Sequence, residues 1–169
     1  VRIWGGYGFF PAYTGNTVID NKIMDNLYGA ILIRAGANNT MINNIIVNNT
    51  LFGIHLWHAG NNTIINNTIV NNGHGIDFYG NSNDNILRNN NMTDNTYNFG
   101  LILREETRNW LGGTLSKPGI VNDVDTSNTV NGKPIYYLVN QSDLQVPSDA
   151  GYVWLNNCTN ITVNGCDLS

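Results

Sequence analysis

The chain has 169 residues, with 8 Lys plus Arg against 12 Asp plus Glu, a net charge of −4 and a charged fraction of 12%. That is about half the usual charged share, and it leaves no basic stripe to neutralise phosphates, which excludes a nucleic-acid binder. Two Glu and six Ala exclude helix bundles and coiled coils, no apolar run approaches membrane-spanning length, and a 41% hydrophobic content spread along the chain argues against disorder.

The chain starts at Val1 with no signal-peptide pattern, and reads as a processed chain or an excised piece. Trp4 to Phe10 reads as the end of a preceding turn. From Asn16 a 23-residue repeat sets in. Asn16, Asn39, Asn62 and Asn85 form one column; Asn21, Asn44, Asn67 and Asn90 a second; Asn26, Asn49, Asn72 and Asn95 a third. Val18, Met41, Ile64 and Leu87 alternate with them, as do Ile23, Ile46, Ile69 and Met92. Later in each unit come Ile31 and Ile33, Ile54 and Leu56, Ile76 and Phe78, then Leu101 and Leu103, with one residue fewer at Gly73-His74-Gly75.

Each unit holds three short β-branched strands separated by Asn-Asn or Gly turns. A unit this small buries its apolar face only by stacking on a copy of itself. The spacing predicts an all-β chain wound as a right-handed parallel β-helix, one 23-residue coil per turn, with coils about 4.8 Å apart. Asn suits the turns because it tolerates positive φ. Identical amides stacked one per coil also satisfy each other as donor and acceptor. Asp20, Asn43, Asn66, Asn89 and Asp25, Asn48, Asn71, Asp94 read as the outward halves of those turns.

From Arg104 to Ala150 the rhythm fails, and Gly112-Gly113, Pro118, Pro134 and Pro147 suggest loops around one strand, Pro134 to Val139. Gly151 to Leu155 and Ile161 to Val163 read as strands of a resumed coil. The expected organisation is one domain over 1–169: regular coils 16–103, an excursion 104–150 and a resumed coil 151–169. The open strand edges expected at both ends suggest a fragment of a longer helix, or ends that meet other copies.

The segments Asn39 to Asn49 (NTMINNIIVNN) and Asn62 to Asn72 (NTIINNTIVNN), each followed by Gly-Ile, resemble the right-handed parallel β-helix repeats of the pectin-lyase-like superfamily. The nearest flavour is its carbohydrate-binding and sugar-hydrolase repeat group, which includes the periplasmic accessory proteins of nitrous oxide reductase maturation. Asn122 to Leu155 is similar to segments of long surface proteins of methanogenic archaea. The resemblance implies an exported location, extracellular or at the cell surface, and a polysaccharide setting. It leaves activity open, because the superfamily spans lyases, hydrolases, epimerases, adhesins and envelope proteins.

Stacking also places outward side chains beside each other. With Ile31, Ile54, Ile76 and Leu101 inward, one outward column is Leu32, His55, Asp77 and Ile102, and the next is Arg34, Trp57, Tyr79 and Arg104. His55 and Asp77 then fall within hydrogen-bond reach on adjacent coils, and two aromatics lie between two arginines. Arg34, Trp57, Tyr79 and Arg104 are carbohydrate-binding candidates; His55, Asp77 and Arg104 are catalytic candidates, with His58 and Glu105 at the edge. Against an enzyme, the outward columns lack the aspartate cluster of inverting hydrolases of this fold, and the epimerase-type Asp-Pro-His-Glu string does not occur. Asp123 and Asp125 are a close acidic pair and the only calcium candidates; no other cofactor is expected. His55, His58 and His74 lack the Cys or Met company of a copper cluster. Cys158 and Cys166 could pair, link chains or stay reduced. Asn-x-Ser/Thr sequons stand at Asn38, Asn48, Asn61, Asn66, Asn91, Asn140, Asn157 and Asn160. The expected function is a structural or adhesive module of an exported surface-layer or sheath-like protein that contacts polysaccharide, with a polysaccharide-active enzyme as the alternative.

Overall fold

The computed structural model describes residues 1–4, 14–102 and 121–168. After β1 (Arg2–Trp4), each coil carries two three-residue strands and one six-residue strand. These are β2 (Thr17–Ile19), β3 (Lys22–Met24) and β4 (Gly29–Arg34), then β5 (Thr40–Ile42), β6 (Ile45–Val47) and β7 (Phe52–Trp57). The third coil has β8 (Thr63–Ile65), β9 (Thr68–Val70) and β10 (His74–Tyr79); the fourth has β11 (Ile86–Arg88), β12 (Asn91–Thr93) and β13 (Tyr97–Ile102). The strands form three parallel sheets along the stack, beginning with β1-β4-β7-β10-β13. The winding is the right-handed parallel β-helix expected from the repeat, the hand parallel crossovers adopt.

The aliphatic columns fill the interior: Met41, Ile64 and Leu87 on one side, Ile46, Ile69 and Met92 on the second, and Ile31, Ile33, Ile54, Leu56, Ile76 and Phe78 on the third are all fully buried. The fourth coil departs from the expected register. Ile76 pairs with Phe99 and Phe78 with Leu101, so Leu101 does not lie under Ile76, and Ile102 lies beside Tyr79 rather than Asp77. Keeping the regular step from coil to coil places Phe99 in the core, edge-on to Phe78 at 5.8 Å; aligning on Gly100-Leu101 as another Gly-Ile turn would not.

The Asn columns are continuous ladders. Asn44 donates its Nδ2 to Asn67 Oδ1 and to Val18 O, both at 2.9 Å, and its backbone N to the same Oδ1 at 3.0 Å. Asn67 repeats this pattern with Asn90 and Met41 O. The Asn44 and Asn67 amides therefore use both donors and double their acceptors, and carry no cost of an unmade bond. The positive φ falls on the outward neighbours instead of the ladder residues: Asp20, Asn43, Asn66 and Asn89 lie between 53° and 56°, and Asp25, Asn48, Asn71 and Asp94 between 53° and 58°. The side chain that reaches into the ladder must start from an ordinary backbone, and the residue before it takes the bend.

Residues 121–150, expected as loops around one strand at Pro134 to Val139, carry that strand and three short ones besides. β14 (Asp123–Val124) lies parallel on β11 and β15 (Thr129–Val130) on β12. Asn122 and Asn128 extend two ladders, accepting from Asn85 and Asn90 Nδ2 at 2.9 Å. Asn98 closes the third from within its own coil. Asn131 and Gly132, with φ of 49° and 77°, then make the two-residue turn that favours Asn-Gly. β16 (Lys133–Val139) returns antiparallel to β15. A narrower coil follows, in which β17 (Gln145–Val146) pairs with β19 (Thr162–Val163), and β16 with β18 (Tyr152–Asn156). Its step is 17 residues, the separation of Asn140 from Asn157 and of Asp143 from Asn160, which bond to each other across it. Among the described residues no helix is long and apolar enough to cross a membrane.

Candidate functional site

The third strand of each coil is six residues long and faces solvent on one side, so its outward side chains form a flat grid. One row is Leu32, His55, Asp77 and Gly100; the next is Arg34, Trp57, Tyr79 and Ile102. On the other flank Phe52, His74 and Tyr97 are register partners.

Asp77 sits at the centre of this grid and is 3% exposed. His55 Nδ1 lies 2.8 Å from its Oδ2, and His74 Nδ1 lies 3.8 Å from the same oxygen. The other carboxylate oxygen, Oδ1, is buried with no hydrogen-bond partner. A carboxylate this enclosed is held by its two imidazoles, and Gly100 beside it contributes no side chain to close the grid. Around it stand rings: Phe52 stacks on His55 at 5.0 Å, and Trp57 meets Tyr79 edge-on at 5.1 Å. The Arg34 guanidinium lies over Trp57 at 4.1 Å from the ring centroid, a cation–π contact. His58 lies across Tyr79 at 6.3 Å, with its Nδ1 accepting from the Asn81 backbone N.

The structure thus brings together His55, Asp77, Arg34, Trp57 and Tyr79. Arg104 and Glu105 lie outside the described residues, and Ile102 takes the position beside Tyr79 that was expected for Arg104. His74, Phe52 and Tyr97 escaped sequence reasoning. The third coil is one residue short at the turn, so His74 falls under Phe52 on the same 22-residue step that joins His55 to Asp77.

The remaining candidates are dispersed. Asp123 and Asp125 do not make a calcium site: both carboxylates pair with Arg88, at 2.5 and 3.1 Å. A guanidinium between them supplies the charge a cation would bring. Among the described residues no group of three or more His, Cys, Asp or Glu is arranged to hold a metal ion. Cys158 and Cys166 are free thiols, directed at the carbonyl oxygens of Leu138 and Pro147. All eight sequon asparagines are exposed.

Comparison with known proteins gives one family. The family model described as "Periplasmic copper-binding protein (NosD)" matches residues 3–114, more than half of the chain. A solved structure titled as the periplasmic alginate epimerase AlgG is similar at 16% identity and a TM-score of 0.46, over 96% of this chain and 38% of that one. The chain therefore spans well under half the length of that protein. No curated protein matches.

Proposed function

The chain belongs to the periplasmic copper-binding protein (NosD) family, and from that premise we propose that it is an exported structural β-helix module whose β4–β7–β10–β13 face holds polysaccharide. The observation that carries this reading is the row Arg34, Trp57 and Tyr79 beside a buried carboxylate. Flat rings offer apolar faces to the C–H side of a sugar, while the polar groups next to them take its hydroxyls. The rigid stack fixes these groups on strands instead of loops, so the face needs no ordering on binding. The family description places its members in the periplasm, which supports export.

The copper in that description does not fit the residues present. Every His, Cys and Met of the chain lies among the described residues. Met41 and Met92 are sealed in the core. His58 Nδ1 is engaged by the Asn81 amide, while His55 Nδ1 is committed to the Asp77 carboxylate. The two sulfurs are each turned to a different carbonyl. A copper site needs several imidazole or sulfur donors converging on one point; here only the His55 and His74 rings come together, both turned to Asp77, and among the described residues no group of three or more His, Cys, Asp or Glu is arranged to hold a metal ion.

One observation favours a second reading. A hydrogen bond from His55 Nδ1 to a buried carboxylate fixes that proton and leaves Nε2 as the basic nitrogen, the arrangement of a general base. The two readings part under one experiment. The protein is titrated with acidic and neutral oligosaccharides by calorimetry, then incubated with the same sugars while reducing ends and unsaturated products are followed. Binding without turnover, weakened by Trp57→Ala, supports the module. Turnover that disappears in His55→Ala and Asp77→Ala makes it an enzyme, and no binding to any glycan removes the proposal.

A further inference from the structure

The single-residue shortening of the third coil leaves a mark on the surface. Phe52 and His74 are register partners on the shortened step, whereas Gly29–Phe52 and His74–Tyr97 keep the full step of the Asn ladders. At that turn lies an open groove of about 280 Å³, lined by Asn48, Thr50, Asn71, Gly73 and Thr96 together with two ladder amides. Gly73 is required there: a Cβ would stand 2.3 Å from Leu51 O and 2.6 Å from Thr50 O.

We infer that this groove is a subsite for one uncharged sugar residue. Its lining is entirely amide, hydroxyl and glycine. The amide of Asn71 donates to Asn48 Oδ1 at 2.8 Å, which leaves Asn48 Nδ2 and Asn71 Oδ1 without a partner among the described residues. The Thr50 and Thr96 hydroxyls are in the same state. A vicinal pair of sugar hydroxyls donates and accepts at once and matches such a set. The same outward column ends in Asp25 on one side and Asp94 on the other, with no cation among the residues that line the groove, so a uronate or sulfated sugar would meet like charge. Beside the groove Tyr97 is 62% exposed, its ring 5.1 Å from His74. It offers a stacking face at the rim. Tyr28, 65% exposed and with the Arg2 guanidinium 5.8 Å from one face of its ring, stands on the first coil, about 14 Å from Tyr97 along the stack at ~4.8 Å per strand. A glycan lying along the coils would cross the groove between these two rings.

This rests on the reading that the chain contacts polysaccharide, and the test keeps the two apart. The protein is made in a host that does not N-glycosylate, because Asn48 is also a sequon acceptor. Neutral hexaoses (cello-, manno- and chito-) and hexagalacturonate are titrated by calorimetry into the parent protein and three variants. Tyr97→Ala removes the rim ring, Thr96→Trp fills the groove, and Trp57→Ala alters only the neighbouring face. The first two change exposed residues, and thermal melting checks that they remain folded. Expected is binding of at least one neutral hexaose, weakened about tenfold or more by Tyr97→Ala and by Thr96→Trp. Loss confined to Trp57→Ala overturns the subsite and leaves the proposed function standing. Tighter, Tyr97-dependent binding of hexagalacturonate overturns the uncharged class. No binding to any sugar removes both.

Discussion

The wide coils of the first half and the narrow coil near the end solve the same problem with different means. In the first, every corner is closed by an amide ladder and the interior is aliphatic, with Ile46, Ile54, Ile64 and Ile69 fully buried. In the second, Gln141 and Cys158 occupy equivalent corners of successive turns, and the interior uses rings: Tyr137 stacks on Trp154, and Tyr152 meets Phe99. Cys158 Sγ points at Asn156 O and Leu138 O, the same two carbonyl positions that Asn67 Nδ2 reaches at Ile65 and Met41. A thiol reaches the same acceptors but cannot accept two strong bonds from a neighbouring coil. The comparison teaches that the fold needs a donor at each corner, and that only the amide makes the corner cooperative from coil to coil.

The largest test of that contrast is Asn67→Ala. It leaves the Asn44 N and Nδ2 donors without an acceptor and the Met41 carbonyl without a donor. At about 1–3 kcal/mol for each buried group left unmade, urea unfolding should show a loss of about 4 kcal/mol. Gln141→Ala, at the equivalent exposed corner of the narrow coil, should cost a few tenths. Equal losses at the two sites would break the comparison.

Alkaline titration probes the ring-filled interior. Burial pushes the Tyr137 hydroxyl up from 10.0 to about 12, and burial also raises Tyr152. A raised folded pKa gives stability that is complete below the unfolded value and is lost as pH climbs through the folded one. The melting temperature should therefore fall between pH 10 and about 12. Tyr137→Phe should flatten that fall. An unchanged slope would remove the tyrosine from the account.

Arg88→Ala removes the one cation between Asp123 and Asp125 where the fourth coil meets β14. Both acids are largely exposed, so the loss should be about 0.5–1 kcal/mol and should shrink in high salt. A loss that is indifferent to salt would point to packing of the side-chain stem instead. The smallest effect is Cys158→Asn, which rebuilds an amide at a corner that lacks its ladder. A change within about 0.5 kcal/mol is expected by chemical denaturation; a gain of several times that would show that the ladder needs no neighbour.

Much of the fold was legible because a stacked coil prints its geometry directly into the sequence. Asn44, Asn67 and Asn90 recur every 23 residues because each must meet the next, and Met41, Ile64 and Leu87 recur because they share one interior wall. The His55–Asp77 contact followed from the same arithmetic. What the repeat hid were its interruptions. Asn85 finds its partner at Asn122 and Asn90 at Asn128, 37 and 38 residues on, so a fixed period cannot see that the ladders continue. Gly100 imitates the Gly of a Gly-Ile turn, yet it stands beside Asp77. His74 slid into the grid through a one-residue shortening confined to that strand, which spans Phe52–His74 to Trp57–Tyr79 and is made up again by Ala59–Ser82. The bends fell on Asp20 and Asn43 instead of on the ladder, because from sequence alone two adjacent Asn are interchangeable.

The ladders also give the rod a direction. Asn16, Asn21 and Asn26 all send their amide hydrogens toward the next coil, to Asn39, Asn44 and Asn49, and the later rungs do the same. Three files of parallel dipoles thus run through the four wide coils, with oxygens foremost on the Asn16 side. Two such ends brought face to face would oppose lone pair to lone pair. Any joint made through these columns would therefore have to be head to tail, the polar arrangement that builds filaments instead of two-fold pairs.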